Sequence, residues 1–138
     1  MIGILVVTHG ELSQYLLETA AMFVSDITLT RAVTFPAGQG SEDLEAAVRQ
    51  AVAGMAPNDG ILILVDLPGG TPAKMAASLL QDNDKLEVVT GVNIPMLAEA
   101  LMYRDNMSLS ELAAQAVLSG TEGILDVKKM LQLHKKEV

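Results

Sequence analysis

The stretch IGILVVTHGEL, Ile2 to Leu12, decides the fold. Residues 2–7 form a short, continuous, β-branched apolar run. Such a run suits a strand covered on both faces, as in a parallel sheet. It stops at Thr8-His9-Gly10, and helical spacing starts at once. From Glu11 to Val24, Leu12, Leu16, Ala20 and Phe23 share one helical face. A buried strand, a tight turn and an amphipathic helix make the opening unit of an α/β sheet.

Working outward, the alternation continues. Leu29 to Phe35 reads as a second strand, closed by Pro36-Ala-Gly-Gln-Gly40. Ser41 is expected to cap a helix with Glu42 and Asp43 in its first turn and Leu44, Ala47, Val48 and Ala51 inward. Asn58-Asp59-Gly60 is a turn signal, and Ile61 to Val65 is the most apolar strand candidate, ending at Asp66. Leu67-Pro-Gly-Gly70 breaks the pattern. Thr71 is placed to cap a helix with Pro72 at its first position, running to about Asp82. Leu86 to Thr90 is the fourth strand, Gly91-Val-Asn93 its exit loop, and Pro95 to about Arg104 a helix. Ser108-x-x-Glu111 is a capping box for a last helix, with Leu109, Leu112, Ala116 and Val117 inward and Gly120 and Gly123 at its end. Ile124 to Val127 reads as a short fifth strand, and residues 128–138 are assigned to a tail. This order predicts a single domain over residues 1–138: an α/β, doubly wound, three-layer sandwich with a mostly parallel sheet.

Composition narrows the function. The chain has 138 residues, half of them hydrophobic, enough to bury about two-thirds of the unfolded surface. It has no cysteine, so disulfides and thiolate metal sites are excluded. Net charge is −8. Lys128, Lys129, Lys135 and Lys136 against Glu137 give the last eleven residues +3, which leaves −11 on residues 1–127. An acidic body argues against nucleic acid and favours a basic protein partner. No leader-like segment opens the chain, and no apolar run approaches the roughly 20 residues of a membrane helix. A soluble, cytoplasmic protein without membrane insertion is expected.

In an open α/β sheet, ligands bind beyond the carboxyl ends of the strands, where strand order reverses. In the flavodoxin-like order 2-1-3-4, strands one and three flank that reversal. His9 follows strand one and Asp66 ends strand three, so two side chains 57 positions apart are expected to meet. A carboxylate that accepts the Nδ1–H of an imidazole fixes its tautomer and leaves Nε2 free as nucleophile or base. Two helix N-termini lie nearby, one after His9-Gly10 and one at Gly69-Gly70-Thr71-Pro72. Their amides and dipoles suit an anion such as a phosphoryl group. His134, among lysines, reads as a solvated residue. Walker A, Gly-x-Gly-x-x-Gly and Gly-x-Ser-x-Gly motifs are absent, as is a receiver-type acidic pair after strand one. Aromatics make up only 3 %, too few for a flavin sandwich, and one histidine with one carboxylate does not make a metal site.

Three segments carry a family resemblance: Ile-Leu-Val-Val-Thr-His-Gly (4–10), Val-Asp-Leu-Pro-Gly-Gly-Thr-Pro (65–72) and Gly-Val-Asn-Ile-Pro-Met-Leu (91–97). Together they resemble the enzyme IIA component of the mannose-type bacterial sugar phosphotransferase system. The resemblance implies a phosphotransferase without cofactor. His9 would accept a phosphoryl group from the phosphocarrier protein HPr and pass it to enzyme IIB, which works with the membrane IIC/IID complex. Asp66 would hydrogen-bond that histidine, and Gly10, Gly69, Gly70 and Thr71 would surround the phosphate. The family fold has four parallel strands and an antiparallel fifth strand exchanged in a homodimer, a place that Ile124 to Val127 matches. Pro68 departs from the family pattern, where a large aromatic is common, and puts partner contacts there in question. Because residue 138 is the last, IIB is expected as a separate protein. Mannose, fructose, sorbose and amino sugars all remain open as substrates. Two alternatives stand beside this reading: the phosphoryl-carrying subunit of a dihydroxyacetone kinase system, and a non-catalytic module that binds an anion or a protein.

Overall fold

The computed structural model describes residues 1–55 and 59–137. Four parallel strands, β1 (Gly3–Val7), β2 (Thr30–Val33), β3 (Ile61–Val65) and β4 (Leu86–Val89), form one sheet in the order β2-β1-β3-β4. The helices are α1 (Leu12–Ala20), α2 (Ser41–Met55), α3 (Thr71–Leu79), α4 (Ile94–Tyr103), α5 (Leu109–Glu122) and α6 (Val127–Glu137).

Every residue of β1 and β3 is buried, because helices cover both faces of the sheet. Alternation along the strands then sorts the side chains into two cores. Ile4, Val6, Leu62 and Leu64 meet Ala20, Leu97, Ala100, Leu112 and Ala116, from α1, α4 and α5. Leu5, Val7, Ile61, Ile63 and Val65 meet Leu44, Val48, Ala76 and Leu79, from α2 and α3. Each such Leu or Ile contributes about 1.5–3 kcal/mol by leaving water. The three-layer, doubly wound architecture expected from the sequence is the one observed.

Element ends differ in instructive ways. α1 stops at Ala20, where the turn tightens: Met22 N–H donates to Thr19 O and Phe23 N–H to Ala20 O. Val24 therefore reaches the core, while Phe23 and Leu12 lie outward, 66 % and 47 % exposed. Ser41 is the first helical residue rather than the cap, because the amides of Asp43 and Leu44 converge on Gly40 O. Thr71 is likewise helical, with Gly70 at the cap position. Of the turn signal at 58–60, Asn58 lies outside the described residues. Val117 is exposed. Gly120 sits inside α5 rather than at its end, and its role is close approach: a Cβ there would lie 2.7 Å from Met96 Cε.

The fifth strand expected at Ile124–Val127 is not formed. Asp126 instead caps α6, its Oδ1 accepting the Lys129 amide at 3.0 Å and its carbonyl the Met130 amide at 3.0 Å. That cap draws Val127 into the helix, and the segment assigned to a tail is helical through Glu137.

Candidate functional site

β1 and β3 are paired in register through Val7 and Val65. The residues that follow, Thr8-His9 and Asp66, therefore emerge side by side at the carboxyl edge of the sheet. β1 has β2 on one flank and β3 on the other, so this edge is the point where chain direction across the sheet reverses.

One oxygen of Asp66 holds His9 twice. Oδ2 accepts the His9 backbone N–H at 2.9 Å and meets Nδ1 at 2.8 Å. A carboxylate acceptor places the proton on Nδ1 and leaves the lone pair on Nε2. Nε2 has no hydrogen-bond partner among the described residues. The acid lies behind the ring: the His9 side chain is 45 % exposed and that of Asp66 only 16 %. Burial pushes the Asp66 carboxyl up, but the His9 amide, the imidazole and the Leu67 amide outweigh it and hold the group below its ordinary range. It is thus ionised at neutral pH. The other oxygen, Oδ1, is buried without a hydrogen-bond partner among the described residues.

Gly70 and Phe35 lie near the ring. A Cβ on Gly70 would lie 3.0 Å from His9 Cε1, so only glycine lets the two segments approach this closely. The Phe35 ring lies against the imidazole, with centroids 5.9 Å apart and planes at 52°.

The loops around the ring are rigid for readable reasons. Leu67 to Gly70 is a type II turn: Pro68 presets the first central position, Gly69 has φ +77°, and Gly70 N–H donates to Leu67 O at 3.2 Å. On the other side, Gly10 at φ +58° exchanges two hydrogen bonds with Phe35, N–H to O at 2.8 Å and O from N–H at 3.0 Å. The amides of Gly10 and Gly70 are therefore already engaged. Those of Gly69 and Thr71, and the Thr71 hydroxyl, have no hydrogen-bond partner among the described residues. Behind the edge, Gly91 N–H donates to Asp66 O at 2.7 Å and ties the 91–97 segment to the end of β3. Asn93 then caps α4, accepting from Met96 N–H, and donates to Gly120 O.

Sequence reasoning brought His9, Gly10, Asp66, Gly69, Gly70 and Thr71 to one edge, and the structure gathers them there. It missed three residues. Thr8 Oγ1 accepts the Ser13 amide at 2.7 Å and donates to His9 O at 3.1 Å, while Ser13 Oγ donates to Val33 O at 2.9 Å. The signal for Ser13 was a polar residue on the inward side of α1. Phe35 carried no local signal, because its contact with His9 joins two separate strand ends. Exposed His134 lies on α6, and among the described residues no group of three His, Asp or Glu is placed to hold a metal.

A protein-family model described as the PTS system fructose IIA component matches residues 3–117. The chain belongs to this mannose-type enzyme IIA family. It is 38 % identical over 128 residues to the PTS system mannose-specific EIIAB component of Escherichia coli K12, a match covering 92 % of this chain and 40 % of that protein. The chain thus spans less than half the length of that relative. It is 32 % identical over 112 residues to the PTS system fructose-specific EIIA component of Bacillus subtilis 168, covering 81 % and 77 % of the two chains. The crystal structure of the phosphotransferase system component EIIA from Streptococcus agalactiae superposes with a TM-score of 0.85 at 29 % identity, covering 94 % and 99 %. Enzyme IIA components belong to the sugar phosphotransferase system. No helix among the described residues is long and apolar enough to cross a membrane.

Proposed function

We propose that this enzyme IIA domain is a phosphoryl carrier of sugar uptake. His9 Nε2 attacks the phosphorus of phosphorylated HPr in line, the donor's P–N bond breaks as the new one forms, and enzyme IIB later takes the group by the same chemistry reversed. The observation that carries this reading is the double hold of Asp66 Oδ2 on His9, which leaves Nε2 without a partner. The carboxylate offsets the positive charge that the ring acquires when Nε2 bonds to phosphorus. The amides of Gly69 and Thr71 and the Thr71 hydroxyl receive phosphoryl oxygens, while Gly10 and Gly70 contribute room rather than donors. Because the donor is already an activated phosphohistidine, positioning supplies the catalysis.

A homodimer is part of this proposal. β4 is an edge strand, and beside it lies a groove of about 480 Å³ lined by Val88, Val89, Met96, Val117 and Ile124 among others. Leu125, which follows Ile124, is 63 % exposed, and Val127 and Leu131 of α6 are also more than half exposed. Such an apolar surface fits a second copy, and light scattering of the purified protein tests it.

Incubation with phosphorylated HPr should raise the intact mass by about 80 Da, the mark of a covalent phosphoryl group. His9→Ala should abolish the gain. Label persisting on His134 would overturn the assignment, and binding without mass gain would favour a non-catalytic module.

A further inference from the structure

We propose that Phe35 is a positioning residue that fixes the plane of the His9 imidazole. Its kinetic consequence rests on the phosphoryl-carrier reading; its geometry does not. The hydrogen bond from Nδ1 to Asp66 holds one atom of the ring. Such a bond tolerates deviations of about 30° from linearity, so alone it lets the ring tilt. Tilting matters because the Nε2 lone pair lies in the ring plane and must point along the line of attack. Gly70, with no side chain, leaves room on the Cε1 side, where a Cβ would lie 3.0 Å from the ring. The Phe35 ring is its aromatic neighbour, at a tilted geometry within the favourable distance range.

Phe35 can act as a fixed plate because it is itself held. Its side chain packs, partly buried, on the second core. Its backbone exchanges two hydrogen bonds with Gly10, the residue directly after His9. That bridge fixes the Phe35 backbone relative to the residue that follows the imidazole. Asp66 therefore sets the tautomer and the anchor point, and Phe35 sets the plane.

Two variants separate the ring from its bulk. Phe35→Leu keeps the apolar contact with the core, and Phe35→Tyr keeps the aromatic plate. The His9 Hε1 proton, read by NMR, should shift in Phe35→Leu and stay near its original position in Phe35→Tyr. With phosphorylated HPr as donor, Phe35→Leu should lower kcat by about threefold to tenfold at unchanged KM, and Phe35→Tyr should restore it. An unshifted Hε1 or an unchanged kcat in Phe35→Leu overturns the proposal, as does a loss confined to KM, which would mean a docking role. If the unsubstituted protein takes no phosphoryl group, the carrier reading fails and the Hε1 shift alone decides the role of Phe35.

Discussion

Replacing Asp66 with asparagine removes one charge and leaves the shape nearly unchanged. The His9 amide decides how the new side chain turns. That N–H lies 2.9 Å from Oδ2 and needs an acceptor, so the carboxamide oxygen takes the Oδ2 position. The ring, 2.8 Å from the same point, then keeps an acceptor for its Nδ1–H, and the productive tautomer survives. What disappears is the charge. A hydrogen bond to an ionised group contributes about 1.5–3 kcal/mol and a neutral one about 0.5–1.5, so each of the two bonds weakens by about 1–1.5 kcal/mol. The bond to the His9 amide is the same before and after transfer, so its weakening affects stability. Only the bond to the ring strengthens as the imidazole becomes positive, and only that difference reaches the rate. With that lost strengthening taken as the same size, about 1–1.5 kcal/mol, phosphoryl acceptance should slow by about 5- to 13-fold. Rapid-quench kinetics with phosphorylated HPr in excess measures this. An unchanged rate would remove the acid from the mechanism. A loss near 10⁴-fold would refute the rotamer argument, because it would mean that the amide nitrogen faces the ring and traps the wrong tautomer.

The Asp66 carboxyl is held below its ordinary range, so its stabilising contribution is complete above about pH 3.9 and is lost as pH falls through the lower folded value. Urea midpoints of the protein and of Asp66→Asn should differ most at neutral pH and converge in acid; a gap constant with pH contradicts this. Gly70→Ala places a methyl 3.0 Å from His9 Cε1 at a backbone φ of −73°, which alanine adopts without strain. The fold should survive while transfer slows by about threefold to tenfold through ring displacement, and an unaltered rate would show that the imidazole has slack. Ser108→Ala breaks the capping box of α5 and should cost about 0.5–2 kcal/mol in chemical denaturation with transfer unaffected.

The sheet was legible because β1 and β3 are apolar at every position, a pattern that only a strand covered on both faces supports. The meeting of His9 and Asp66 was legible for the same reason: both stand within two residues of the ends of such strands, and parallel neighbours end at one edge. Helix faces were harder. Helical spacing put Phe23 inward, but the tightened turn after Ala20 handed that place to Val24. Ile124 to Val127 has the composition of a strand, yet a strand needs a neighbour, and in the single chain the Asp126 cap decides. Gly10 and Gly70 read as amide donors from their motif. Their N–H groups are instead committed: that of Gly70 to Leu67 within its own turn, and that of Gly10 to Phe35, a bond between segments that no local pattern encodes.

The most direct measurement is the position of the phosphoryl group on the ring. Protein labelled with ¹⁵N in its histidines and charged with phosphorylated HPr should show phosphorus–nitrogen coupling at Nε2 of His9, while Nδ1 keeps its proton toward Asp66. Coupling at Nδ1 would mean that the acid had surrendered the ring, and would contradict the account.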